Sequence, residues 1–465
     1  MKQSFNVENF IKIYYDENRK GDYLDGRFSE FSALKEIGQE IKQINQNFRN
    51  KVYLTETEKE TANQKKEELL KIKFDKLGEV LLEVEEKIDK KKYLISMITK
   101  SIKGKTAYTL DRSNIETFFL FKQIQKNIQH SFKVKQADRN EIISQVVNML
   151  DNGFPKYIIR TDIESFYESI PHDELKKVIN RNHILSPLSK KVINEILREY
   201  QRMTGQNKGI PRGIGISAYL AELYMRDFDN DIKNLKNVTY YARYVDDIIT
   251  IFTPNNKYDS TDYLNLIDEK ITRYGLARNT DISKNEQIDM RQNSINFNFD
   301  FLGYNLNYSG ELKIDLSNNK FQKLKRKIEL SIDAYNTLSK FNEKQARKEL
   351  IKRVKYLTGN TRLLGVKKDI LIGIYFSNQY LNDLSKLKNL DTFFHNGMIN
   401  HKLKPYHLLS IDSLQLKNKL KTFSFENNFN NKKFYKFSNK DLKEILSIWK
   451  DLWADYLEKN KKLLI

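Results

Sequence analysis

The 465 residues are 39% hydrophobic and 31% charged, enough for two or three domains and a sizeable buried core. Lys plus Arg number 81 against 61 Asp plus Glu, and this +20 balance points to a polyanionic partner such as nucleic acid, or more plainly to a Lys-rich solvated surface. The absence of cysteine excludes disulfides, thiolate zinc sites and cysteine nucleophiles, and with no bilayer-length apolar run and no signal-peptide core after Met1 a soluble, cytoplasmic protein is expected, with no membrane partner.

Residues 1 to 55 mix aromatic and charged side chains and predict one or two short helices and a loop. From Thr55 to Ile102 the pattern is helical. Leu70, Phe74, Leu77, Leu81, Val84 and Ile88 recur at alternating steps of four and three, a short heptad seam that predicts an antiparallel helical arm packed on the body. Lys133, Lys135 and Arg139 then set three cations within seven positions, which suits either a triphosphate or a solvated edge.

Tyr157-Ile158-Ile159-Arg160-Thr161-Asp162 reads as an apolar strand running into an aspartate, with Ile163-Glu164-Ser165-Phe166-Tyr167 behind it. As a strand continued to Glu164 it would put Asp162 and Glu164 on one face; Asp162 could equally be a helix N-cap. Lys208-Gly209-Ile210-Pro211-Arg212-Gly213-Ile214-Gly215 is a loop whose backbone can approach a ligand closely, or a simple turn; Ala218 to Phe228 follows as a helix.

Val238 to Tyr241 and Ile248 to Phe252 are β-branched and aromatic runs, so Tyr244-Val245-Asp246-Asp247 reads as the turn of a hairpin. Carboxylates there need a positive partner, and a pair of divalent cations would serve; an ordinary Asp-Asp turn is the alternative. Tyr263 to Tyr274 predicts a helix ended by Gly275. Phe297 to Leu306 alternates as a strand and turns at Ser309-Gly310 into Leu312 to Leu316. Ser317 can cap a basic helix bearing Lys320, Lys323, Lys325, Arg326 and Lys327, suited to a phosphate backbone. Residues 341 to 465 are mostly helical, and the Lys421 to Lys436 stretch interleaves aromatics with cations, as single-stranded nucleic acid or ordinary core packing would require. His395, His401 and His407 are too loosely spaced for a metal site.

Taken together, Arg160 to Tyr167, Gly209 to Gly213 with Ser217, Tyr244 to Asp247, Lys284 and Phe301 to Tyr304 occur in the order of a reverse transcriptase palm, which residues 105 to 335 resemble. The resemblance implies an α+β right-hand polymerase of fingers, palm and thumb with an antiparallel palm sheet. An N-terminal helical arm would span residues 1–104, fingers and palm 105–316, a thumb helix 317–340 and a helical, RNA-binding extension 341–465. It implies an RNA-directed DNA polymerase with two Mg²⁺ ions on Asp162, Asp246, Asp247 and the Ile163 carbonyl, and with Lys284 as general acid. The family pattern Leu-Asn-x-x-Lys-Thr is loosely met here, since the sequence reads Thr280-Asp281-Ile282-Ser283-Lys284-Asn285. Tyr167 would be the sugar gate, and Arg212, which replaces a Gln frequent in relatives, would stand with Gly213 in the substrate-binding loop beneath the templating base. Lys133, Lys135 and Arg139 would contact the triphosphate, and Phe301, Leu302, Gly303 and Tyr304 would grip the primer.

The flanks resemble bacterial antiviral reverse transcriptases of the abortive-infection and defence-associated groups, most of all the first subunit of the type 3 defence system. This implies a structured non-coding RNA, a DNA product, dNTPs and a second reverse transcriptase subunit as partners. A retron-like or group II intron-type enzyme, and a palm-fold RNA-binding scaffold, are the alternatives. Template, priming mode and oligomeric state stay open.

Overall fold

In a computed structural model, residues 3–449 are described apart from 21, 51, 53–54, 93–94, 103–104, 111–113, 135–136, 182–183, 257, 292–294, 364–369 and 406–409. The chain divides into two units, residues 1–138 with 156–291 and residues 139–155 with 292–465. Lys135 and His407 fall outside the described residues.

The first unit begins with three helices, α1 (Val7–Arg19), α2 (Ser32–Arg49) and α3 (Glu56–Asp89). Thr55 and Glu58 start α3 with a reciprocal capping box, the Thr side chain accepting from the Glu58 N–H. The heptad seam is used except at its first two positions. Leu77, Leu81, Val84 and Ile88 are buried, whereas Leu70 and Phe74 stay about half exposed, at 48% and 49%. The helix also stops well before Ile102, because Lys91 turns left-handed (φ 55°) and residues 97–102 form a strand. That strand, β1 (Met97–Ile102), pairs antiparallel with β2 (Lys105–Leu110), as β-branched Ile98 and Thr99 favour. The boundary read at 104/105 therefore falls inside a hairpin.

Helix α4 (Ile115–Phe132) follows; α5 (Arg139–Asp151) belongs to the second unit. The first unit resumes with β3 (Tyr157–Asp162), α6 (Phe166–Ser169), α7 (His172–Arg181), α8 (Pro187–Thr204) and α9 (Gly215–Lys233). It closes with β4 (Val238–Tyr244), β5 (Asp247–Phe252), α10 (Tyr263–Arg273) and β6 (Glu286–Asp289). The sheet order is β4-β5-β3-β6, all neighbours antiparallel, with β3 inside. An interior strand covered on both faces must be apolar on both, and the adjacent Ile158 and Ile159 are each fully buried. Each such side chain stabilises the unit by about 1.5–3 kcal/mol. β3 ends at Asp162, so Glu164 does not share its face: it is exposed, and its N–H goes to the Ala277 carbonyl. β6, only four residues long and mostly polar, carries no strand pattern in the sequence.

The second unit holds α5 and a meander β7 (Asn296–Phe301), β8 (Tyr304–Ser309), β9 (Leu312–Leu316). The single strand expected from Phe297 to Leu306 is broken at Leu302-Gly303, with φ of 45° and 82°. Positive φ at both central residues is the I′ hairpin turn, whose twist matches that of the flanking strands and which glycine favours. Ser317 then caps α11 (Asn318–Thr358), accepting from the Lys320 N–H; non-helical Asn342 breaks this helix in two. The basic residues of α11 are largely spoken for. Lys325 lies over the Phe393 ring at 4.4 Å and Lys327 over Trp449 at 5.1 Å, while Lys320 turns inward. Beyond lie β10 (Asn360–Leu363), β11 (Ile370–Gly373), α12 (Ser385–Thr392), α13 (Ser410–Lys421), α14 (Phe425–Asn430) and α15 (Asn439–Ser447). Phe423, Phe425 and Phe429 are buried, so the aromatics of the 421–436 stretch serve mainly as core. The α+β class with antiparallel sheets holds. No described helix is long and apolar enough to cross a membrane.

Candidate active site

Three carboxylates meet at one end of the first unit's sheet. Asp162 closes β3 and is the register partner of Asp247, which opens β5; Asp246 precedes Asp247 in the turn from β4. That turn is strained. Val245 has φ 62°, and a positive φ at the first but not the second central residue is the II′ pattern, which favours glycine. A β-branched residue there costs about 1–2 kcal/mol.

Two hydrogen bonds hold the turn. The Ile163 N–H donates to the Asp246 carbonyl (3.1 Å), and Arg243 Nη1 donates to the Val245 carbonyl (2.8 Å). Arg243 is itself buried and fixed to α9. Its Nε and Nη2 donate to Asp229 (both 2.8 Å), its Nη1 and Nη2 to Glu222 (3.2 and 2.7 Å), and the Tyr241 hydroxyl donates to Asp229 (2.7 Å). A guanidinium between two carboxylates offsets its own desolvation and anchors the strand end rigidly.

The carboxylates differ in their surroundings. Asp162 is almost fully buried; its Oδ1 accepts from Asn279 Nδ2 (2.8 Å) and its Oδ2 from Lys284 Nζ (3.0 Å). Asp247 accepts from Arg160 Nη2 (3.0 Å), while Arg160 Nη1 donates to the Ser283 carbonyl (2.9 Å). Burial, reinforced by the charges of Asp247 and Asp162, holds the Asp246 carboxyl above its ordinary range. Burial also raises Asp247, against the pull of Arg160 and Lys284. Burial works against the Lys284 ammonium, but Asp162 and Asp247 outweigh it and keep its pKa above the usual value. The Arg278 to Asn285 segment is strapped beneath the carboxylates by Asn285, whose Oδ1 accepts from Thr161 (2.7 Å) and Arg278 (3.1 Å).

The donor chemistry fits a hard dication, since all three groups are carboxylates and their crowding would be relieved by positive charge. The three carboxylates lie near one another, but among the described residues no three acidic or histidine side chains are arranged to hold a metal ion; Asn279 and Lys284 bond Asp162, and Arg160 bonds Asp247. Asp162 could take a cation once Lys284 withdraws.

Beside this centre, Tyr167 lies on α6 with its ring under the Arg212 guanidinium, 5.2 Å from ring centroid to Cζ. Arg212 is gripped by Glu168, the residue after Tyr167, through Nε–Oε1 and Nη2–Oε2 bonds of 3.0 Å each. Gly213 has φ 99°, and a Cβ there would sit 2.8 Å from the Tyr108 carbonyl oxygen. The close approach that the loop permits is thus made by β2, whose Tyr108 N–H also donates to the Arg212 carbonyl (2.6 Å). Lys133 is exposed and left-handed at the end of α4.

Arg139 belongs to the second unit, where it serves the 301–304 turn. Its Nε donates to the Leu302 carbonyl (2.7 Å), and its guanidinium lies over the Tyr304 ring at 4.8 Å. A Cβ on Gly303 would lie 3.1 Å from Arg139 Nη2. From α11, Lys320 approaches the same ring at 5.7 Å and donates to the Ser377 carbonyl (3.1 Å) and to Asn378. With these contacts Arg139 is committed to the hairpin rather than free for a triphosphate.

Sequence reasoning named the three aspartates and Lys284 but missed Arg160 and Asn279, which hold Asp247 and Asp162, Arg243 with Glu222 and Asp229, which latch the turn, and Glu168, which grips Arg212. The only signal for Arg243 and Arg160 was a cation in an otherwise apolar strand.

Residues 84–306 match the reverse transcriptase (RNA-dependent DNA polymerase) family. No curated protein sequence matches the chain. Among solved structures, a Candida tropicalis telomerase lacking its C-terminal domain is 15% identical, with 48% of this chain and 55% of that one covered and a TM-score of 0.35. A Candida albicans telomerase in complex with a fragment of telomeric RNA is 11% identical, with 76% and 61% covered and a TM-score of 0.33. The chain thus spans only about 55–61% of those telomerase chains.

Proposed function

We propose that the reverse transcriptase domain of this chain, the domain of RNA-directed DNA polymerases, copies RNA into DNA at the Asp162, Asp246 and Asp247 centre. The observation that carries the proposal is the Asp162↔Asp247 register, with Asp246 at the adjoining turn. Asp162, Asp246, Asp247 and the Ile163 carbonyl would hold two Mg²⁺ ions, which when bound neutralise charge developing on the phosphates. The chain's own residues do the rest. Lys284, an ammonium at neutral pH, is the proton source for the departing pyrophosphate. Tyr167 closes the sugar side against a 2′-hydroxyl, and Arg212 with Gly213 forms the loop beside it. Lys133 is left as the described cation for the triphosphate, and Phe301 to Tyr304 supports the primer. Asp246→Asn with Asp247→Asn is expected to abolish dNTP incorporation while RNA binding persists; incorporation at the wild-type rate would remove the site assignment.

Within this class the reading is an antiviral enzyme working with a structured non-coding RNA, DNA product and a second reverse transcriptase subunit. The +20 balance and the helical segments on either side of the domain support it. Sequencing the RNA that co-purifies with the protein tests it. One dedicated non-coding RNA is expected, and intron RNA or a branched RNA–DNA product would overturn it.

A further inference from the structure

Arg212 and Glu168 face each other across the nucleotide loop in a two-point ion pair, and the pair does more than neutralise charge. Glu168 directly follows Tyr167 on α6, a helix of four residues, so fixing its carboxylate fixes the turn that carries the tyrosine. The planar guanidinium, held at both ends by 3.0 Å bonds, is laid against the Tyr167 ring. Phe166 stands edge-on to that ring at 5.4 Å, and the Ile210 N–H donates to the Tyr167 carbonyl (2.7 Å). The Arg212 backbone is anchored too, since its carbonyl accepts the Tyr108 N–H of β2. Arg212 and Glu168 are each about a third exposed, at 29% and 39% of the side chain, so the pair adds little to stability by itself. Its use is geometric. A glutamine at 212 could neither make the fork nor lie as a cation on the ring.

We propose that Arg212 and Glu168 are positioning residues for sugar discrimination: the ion pair clamps the Tyr167 ring, and the protein's preference for deoxynucleotides depends on the clamp. This rests on the polymerase reading above. It also accounts for the departure of position 212 from the family's frequent glutamine, because Glu168 supplies the matching carboxylate. The clamp acts on selection between sugars, so its loss changes the ratio of kcat/KM for a dNTP to that for the matching NTP more than it changes stability.

The experiment measures that ratio on an RNA template with a DNA primer, for the full chain and for Arg212→Gln, Glu168→Gln, the double variant and Tyr167→Val. Each single clamp variant is expected to lower the ratio by roughly threefold to tenfold, the scale of one cation–ring contact. The double variant should be no worse than either single, and Arg212→Gln should add nothing in the Tyr167→Val background. A ratio within twofold of wild type in both single variants overturns the clamp, as does an undiminished Arg212→Gln effect when Tyr167 is already valine. Fluorotyrosine at position 167 gives a readout free of catalysis. Its ¹⁹F resonance should shift or broaden in Glu168→Gln, and an unchanged line overturns the clamp even if no nucleotide is incorporated. Absence of incorporation by the wild type together with a shifted ¹⁹F line overturns the polymerase reading and leaves the clamp standing.

Discussion

Arg243 is where stability and activity can be pulled apart. Its side chain is 3% exposed and its partners Glu222 and Asp229 are 14% and 21% exposed, so Arg243→Met strands two carboxylates in a poorly solvated place. Removing one partner of such a buried set costs about 3–5 kcal/mol. The partial exposure of both acids, and the Tyr241 hydroxyl still donating to Asp229, put the value at the lower end. The same substitution removes the 2.8 Å bond to the Val245 carbonyl, and with it a restraint on a left-handed β-branched residue next to Asp246. A second variant, Arg243→Met with Glu222→Gln and Asp229→Asn, removes the stranded charges but not the loss at the turn. Urea denaturation should show the single variant about 3 kcal/mol less stable and the triple variant recovering most of that. Initial rates of dNTP incorporation should fall about a hundredfold in both, as expected for a small misplacement of reacting groups. If activity returns with stability in the triple variant, Arg243 only balances charge and the turn needs no latch.

Two further outcomes follow from single residues. Burial, and then the neighbouring Arg139, depress the Lys320 ammonium from 10.5 to about 7. Between those two values the unfolded chain binds a proton that the folded chain lacks, so this group's contribution to stability rises with pH across that window. The urea stability of wild type relative to Lys320→Met should therefore improve by about 2–3 kcal/mol from pH 7 to pH 9.5, and a flat difference would contradict the burial argument. Gly213→Ala forces a Cβ to 2.8 Å from the Tyr108 carbonyl at φ 99° and should cost about 2–3 kcal/mol in denaturant unfolding; a loss under 0.5 kcal/mol would mean that the loop moves freely off β2.

The carboxylates were legible because their chemistry is written locally. Asp162 ends an apolar strand, and Asp246-Asp247 interrupts another pair of apolar runs. Strand existence followed from β-branched runs, as for β3 and β5, but the four mostly polar residues of β6 gave no such pattern. The seam in α3 was real in period yet unused at Leu70 and Phe74, because a helix pattern does not say how far its partner extends. The Phe297 to Leu306 run reads as one strand although its inward positions change parity at the Leu302-Gly303 turn, from 297, 299 and 301 to 304 and 306, because Phe301 and Tyr304 pair across the two-residue loop and share a face. The supporting shell was hardest to see. Glu222 and Asp229 lie 21 and 14 residues before Arg243, and Asn279 lies 117 after Asp162, so only the folded register joins them. Arg212 shows the same limit: as a lone residue it looked like a departure, and beside Glu168 it has a place.

The most direct measurement gives the purified protein each labelled dNTP in turn with Mg²⁺ and an RNA template, with and without prior RNase treatment. The account predicts template-dependent incorporation that RNase abolishes and that Asp246→Asn with Asp247→Asn eliminates. Incorporation indifferent to RNase, or surviving the loss of both aspartates, would contradict it.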